Sequence, residues 1–92
     1  MKFHEPNSGP AEESVISCIM IDGKVVEDCI AAGLTTDCFH DPINRAIFSK
    51  QVELYLAGCP TSAESLAAEA GANIKSFGGY LNLTRISDKL PS

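Results

Sequence analysis

Apolar residues recur along most of this chain at the three- and four-residue spacing of helices that face a common core. The clearest run is Pro10 to Ile21, which opens polar and turns almost wholly apolar. Pro10 suits a first helical turn, where its missing N–H costs nothing, and Ser8 or Gly9 is the N-cap. Glu12 and Glu13 fall in the first turn, where the helix dipole favours negative charge. From Val15 to Ile21 only Ser17 is polar. Ala11, Val15, Cys18 and Ile19 share one face, and Ile16 and Met20 cover the adjoining one. A helix apolar over most of its circumference is buried, so this is the central helix around which the others pack.

The remaining elements follow from similar signals. Asp22 caps a second helix to about Ala32, with Val25, Val26, Cys29 and Ile30 inward. Gly33 stands where a left-handed C-terminal residue is wanted, and Leu34 packs back. Thr36 or Asp37 begins a single turn carrying Phe39. Asp41-Pro42 is a capping Asp followed by a first-turn Pro, and it opens a helix to Ala57. Ile43, Ala46, Ile47 and Leu54 form its inner face, widened by Phe48, Val52 and Tyr55. Gly58 stops it and Pro60 blocks its continuation. Thr61 to Glu64 has the spacing of a capping box. It opens a short helix through Ala70, with Leu66, Ala67 and Ala70 inward and Gly71 as terminator. A loop leads to Gly78-Gly79, and a last helix carries Leu83, Ile86 and Leu90 before Pro91. No strand alternation of useful length occurs. The reading is all-α, an orthogonal bundle of about five or six short helices.

Composition narrows this picture. At 92 residues the chain makes one domain. It is read as a flexible arm over residues 1–9 and a helical head over residues 10–92. No apolar run approaches the length of a membrane span, and the polar opening residues are no signal peptide. The four cysteines, Cys18, Cys29, Cys38 and Cys59, sit mostly at apolar helix positions. They read as reduced core residues of a cytoplasmic protein rather than two disulfides. Cys38-x-His40 lacks the spacing and the second pair of a zinc site. The net charge of −5 and the scatter of the seven lysines and arginines argue against a surface that grips nucleic acid.

Catalytic chemistry is sparse. There is no Gly-rich phosphate-binding loop, so the chain offers no ATP site, and no cofactor or metal is expected. His40 beside Asp41 reads as a helix-start group, and Glu12 and Glu13 point about 100° apart on a helix. This chain is therefore not expected to be an enzyme. Ser62 to Gly71 followed by Asn73 to Leu81 has the outline of a helix-turn-helix, which makes a DNA-binding regulator the alternative. Its second helix would offer only Asn73, Lys75 and Ser76 to a duplex. Duplex binding weaker than about 10⁻⁴ M at physiological salt is the expectation.

The order and spacing of several elements resemble the N-terminal domain of DnaB-type replicative DNA helicases. Pro6-x-Ser8-x-x-Ala11-Glu12 and the apolar run ending in Ile21-Asp22 are similar to the opening of that domain. Asp37-Cys38-Phe39-His40, the Pro42–Phe48 helix with Arg45 and Ile47-Phe48, Gly58-Cys59-Pro60, Gly78-Gly79-Tyr80-Leu81 and Leu90-Pro91-Ser92 follow in register. Ser17-Cys18 depart from the usual small glycines, and Thr61-Ser62 replace a hydrophobic-Asp pair. The resemblance implies a head domain that forms a collar on a hexameric ring and docks primase or a helicase loader. ATP and Mg belong to a motor that follows a linker, so the parent would be an ATP-dependent DNA helicase of bacterial or phage origin. The resemblance also implies a dimerisation hairpin after this point. The Met1 start and the stop after Pro91-Ser92 read as an excised piece of such a protein. The interface residues expected on this basis are Phe39, His40 and Arg45 in one turn, and Arg85 and Lys89 on the last helix. A helicase-binding domain of the kind that ends bacterial primases shares this helical class and is a further alternative.

Overall fold

A computed structural model describes residues 9–89. It contains five α-helices and no strand among them. These are α1 (Gly9–Ile21), α2 (Val25–Ala31), α3 (Pro42–Leu56), α4 (Ala63–Ala70) and α5 (Tyr80–Ser87). Short 3₁₀ segments cover Thr36–Cys38 and Gly71–Phe77. The all-α bundle read from the sequence is thus the fold, with α1 and α3 at its centre and α2, α4 and α5 packed around them. The arm expected over residues 1–9 falls mostly outside the described residues, as do Leu90 and Pro91. Gly9 is already helical, so it is not the cap.

The core joins Ile16 and Ile19 of α1, Val26 and Cys29 of α2, Ile47 and Phe48 of α3, Leu66 of α4, and Leu83 and Ile86 of α5. Phe39 is fully buried and stacks on Phe48, with ring centroids 4.5 Å apart and planes at 23°. That pair plugs the space between the turn before α3 and the body of the bundle.

Several facings differ from the sequence reading. α2 starts at Val25 rather than at Asp22, because the Asp22 side chain makes a tighter turn first, accepting from Lys24 N at 3.0 Å. Over the helix that remains, Val26 and Cys29 point inward while Ile30 turns out and is 53% exposed. On α1 the buried stripe is rotated by one position, so that Ala11 is exposed and Glu12 is buried. On α3 the buried residue of the first turn is Asn44, and Ile43 faces out. Ser62, not Thr61, caps α4, its Oγ accepting from Ser65 N at 3.3 Å. Thr61 is buried and donates to Ile19 O at 2.6 Å, satisfying a carbonyl in the last turn of α1. Gln51 Nε2 likewise donates to Ile16 O at 3.1 Å, so side chains from two other elements are pinned to the α1 backbone.

The segment read as a loop before Gly78 is a 3₁₀ helix that buries Phe77. Gly78 and Gly79 then break the chain at φ +81° and +88°, a region that favours glycine. A Cβ on Gly78 would also stand 2.6 Å from Asn82 Nδ2, which donates to Phe77 O at 2.8 Å. This break divides the stretch Asn73–Leu81, so a helix-turn-helix reader has no continuous second helix there.

Candidate protein-interaction surface

The two clusters expected to face a partner are both drawn to the first turn of α1, and both serve the fold. Glu12 is completely buried, and its carboxyl oxygens collect three donors from the turn that leads into α3. His40 N donates to Oε2 at 2.6 Å, Asp41 N to Oε1 at 3.3 Å, and Asn44 Nδ2 to Oε1 at 3.1 Å. Asp41 meanwhile caps α3, accepting from Ile43 N at 2.8 Å and Asn44 N at 3.3 Å. Arg45 closes the turn from outside, its Nε and Nη2 both donating to Phe39 O at 3.0 and 2.8 Å. Phe39 itself is core. This corrects its expected place on the surface: the Glu12 and Arg45 bonds fix the backbone on either side so that the ring points onto Phe48. His40 remains exposed.

The neighbouring carboxylate, Glu13, takes the other cluster. Arg85 grips it through two parallel bonds, Nη1 to Oε1 at 2.9 Å and Nη2 to Oε2 at 2.8 Å. Lys89 Nζ lies 3.5 Å from Oε1, and Arg85 Nη2 also donates to Asn82 Oδ1 at 2.7 Å. The hydrogen bonds from Arg85, then its charge and those of Lys89, hold the Glu13 carboxyl below its usual value of 4.5. A carboxylate lowered in the folded state stabilises the fold above the ordinary carboxylate range. That stability is lost as pH falls through the lowered folded value. We therefore expect Glu13→Gln to leave neutral stability within about 1 kcal/mol, because the pair faces solvent through Arg85. The same change should flatten the acid limb below pH 4.5, read as thermal midpoint against pH. An unchanged acid limb would show that the pair is not formed in solution.

What the fold leaves exposed lies elsewhere. The end of α1, the start of α2 and the end of α3 surround a cleft of about 390 Å³, lined by Asp22, Lys24, Tyr55, Cys59, Pro60 and Thr61 among others. Ile21, 58% exposed, and Leu56, 72% exposed, adjoin the lining residues Asp22 and Tyr55 in the chain. A second, apolar groove of about 240 Å³ runs between α2 and α3, with Ile30, Leu34 and Thr35 on one side and Phe48, Ser49 and Val52 on the other. Tyr80 and Leu81 form a separate exposed apolar pair at the start of α5. The sequence reading did not single out Ile21 or Leu56 and turned Ile30 inward. Leu56 was legible in principle, since it falls off the Asn44, Ile47, Phe48, Gln51, Leu54 stripe of α3.

No group of three or more His, Cys, Asp or Glu residues is placed to hold a metal ion among the described residues, and no helix there is long and apolar enough to cross a membrane. None of the four cysteines is joined in a disulfide. Burial, then the nearby Asp28 and Cys18, pushes the Cys29 thiol up to about 11. Cys59 is exposed in the cleft wall. Quantitative labelling under denaturing, non-reducing conditions should count four thiols. In the native protein Cys59 should react first and Cys29 last, since the thiolate is the reactive form. A lower total would mean that disulfides form.

The sequence matches the profile of the DnaB-like helicase N terminal domain over residues 4–92. Comparison with individual curated proteins gives no match.

Proposed function

Because the chain belongs to the family of DnaB-like helicase N-terminal domains, we propose that it serves as the assembly and docking head of a replicative DNA helicase. In this reading the head contributes to a hexameric ring and receives primase, a helicase loader, or both. Hydrolysis of ATP with Mg is the work of a motor elsewhere in the parent, and this chain binds neither.

The observation that carries the reading is the family match across residues 4–92, on an all-α fold. The structure supports it in one further respect. The charged groups first considered for partner contact, Arg45, Arg85 and Lys89, are engaged inside the domain. Exposed apolar side chains stand at the ends of α1 and α3, on α2, and as a pair at the start of α5. Docking through such side chains suits a protein partner better than a phosphate backbone, which needs clustered cations.

The test is a calorimetric titration of the isolated domain with the C-terminal domain of the cognate primase, and separately with the loader. Binding to at least one is expected, at modest affinity. A single head presents at most a standard patch of about 800 Å², and avidity around a ring supplies the rest. Silence with both partners, together with tight duplex-DNA binding, would overturn the reading.

A further inference from the structure

The connection from α1 to α2 is Asp22-Gly23-Lys24, and its glycine has no side chain to hinder attack on the carboxyl group before it. Glycine follows Asp22 and none of the other aspartates. Asp28 lies inside α2 and precedes Cys29, and Asp41 precedes Pro42, which has no N–H. Asp37 and Asp88 precede residues with full side chains, Cys38 and Lys89. Asp22 and Lys24 are exposed, and Gly23 is half-buried.

Asp22 Oδ1 accepts from Lys24 N at 3.0 Å, so the side chain folds forward along its own backbone in an Asx turn. That fold brings the carboxyl carbon, Cγ, toward the intervening peptide, whose nitrogen is Gly23 N. The neighbouring backbone groups are all engaged. Asp22 N donates to Cys18 O at 3.0 Å, Val25 N to Asp22 O at 3.1 Å, and Val26 N to Gly23 O at 3.0 Å. Gly23 N stands outside this pattern and donates to no acceptor among the described residues. A backbone nitrogen with no hydrogen bond to break is thus next to an exposed carboxyl group.

We infer that the Asp22-Gly23 junction is a site of spontaneous aspartate isomerisation. Gly23 N bonds to Asp22 Cγ and gives up its proton, while the carboxyl group, reacting as the acid, gives up its hydroxyl. The two leave as water, and a succinimide ring closes. Water then opens the ring. Attack at Cγ restores aspartate, and attack at the former Asp22 carbonyl carbon leaves the chain running through Cβ and Cγ as isoaspartate. One water leaves and one returns, so the mass is unchanged and no oxidant or other reactant is consumed. The product has an extra backbone carbon between α1 and α2, and the carbonyl that accepted from Val25 N becomes a carboxylate off the main chain. A Cβ on Gly23 would already stand 3.2 Å from Thr61 Oγ1 and 3.3 Å from Tyr55 Cδ1, so a lengthened turn must displace its neighbours. Asp22, Gly23 and Lys24 all line the cleft, which changes shape with them. This chemistry needs no partner and is independent of the docking-head reading.

The test incubates the folded domain in heavy-oxygen water at neutral pH, then digests it and follows the peptide that spans Asp22 and Gly23 by chromatography and mass spectrometry. Each passage through the ring places one heavy oxygen in this peptide, whichever way the ring opens. Labelling is expected there, with a second chromatographic species of the same composition whose fragment ions mark isoaspartate. Peptides carrying Asp28, Asp37, Asp41 and Asp88 should stay unlabelled. As the product accumulates, amide exchange at Val25 and Val26 should accelerate while Ile47 and Leu83 stay protected. Asp22→Ser keeps a side-chain oxygen for Lys24 N but has no carboxyl group, so the second species should vanish with the thermal midpoint unchanged. Labelling of a synthetic peptide of this sequence but not of the folded domain overturns the inference, because the turn would then hold the site closed. Equal labelling at the other aspartates overturns it as well, since the junction would not be singled out.

Discussion

Phe48→Ala is expected to destabilise the domain by about 3–5 kcal/mol, the cost of removing a large buried ring from a small core. Phe48 is 1% exposed and forms one half of the stacked pair with Phe39. Truncation leaves the Phe39 ring facing a void, and the turn behind it is too firmly bonded to Glu12 and Arg45 to collapse into the space. A domain of this length has a total stability of only about 5–14 kcal/mol, so the variant approaches the limit of folding. Phe48→Leu, which keeps most of the volume, should lose less than half as much. Urea titration checks both, with the midpoint moving and the slope unchanged. A loss under about 1 kcal/mol for Phe48→Ala would mean that the stacked pair is not part of the folded core. Phe48 also lines the groove between α2 and α3.

The parts of the fold that were legible in the sequence are those written in local backbone chemistry. Asp41-Pro42 marked the start of α3 because a capping carboxylate and a fixed φ act within a few residues. Gly78-Gly79 marked the entry to α5 because few other residues accept those dihedrals. Helix facings were less secure where the helix was short. In the seven residues of α2, moving the start from Asp22 to Val25 was accompanied by Ile30 leaving the core. The surface cleft was not legible at all. It exists only because the ends of α1 and α3 and the start of α2 meet, and no sequence spacing encodes that meeting. The bonds of Arg45 to Phe39 O and of Arg85 to Glu13 were missed for a related reason. One joins a side chain to a backbone carbonyl in the preceding turn, and the other spans 72 residues. Both cations looked free because their acceptors have no sequence signature.

Glu12→Ala is the second large effect expected, at about 2–4 kcal/mol, and it tests the residue that sequence reasoning explained too easily. A carboxylate in a first turn is accounted for by the helix dipole alone, so nothing prompted a search for partners. Yet Glu12 lies on the same face as Ile16 and Ile19, one and two turns along, which is the face that α1 buries. A fully buried carboxyl group needs hydrogen bonds, and its donors come from a turn some 28 residues away. Alanine would leave the His40 and Asp41 amides and the Asn44 side chain without their acceptor. Glu12→Gln keeps one oxygen but turns an NH₂ toward those donors, so its loss should be intermediate. Asn44→Ala in the Glu12→Ala background should cost less than in the parent chain, since the pair shares one bond. The distinguishing readout is local. Amide exchange at His40 and Asp41 should accelerate in Glu12→Ala well below the global unfolding transition, while Ile19 and Leu83 in the core stay protected. Exchange that rises uniformly across α1, α3 and α5 would instead make Glu12 a general packing residue, not the clamp between the first turn of α1 and the start of α3.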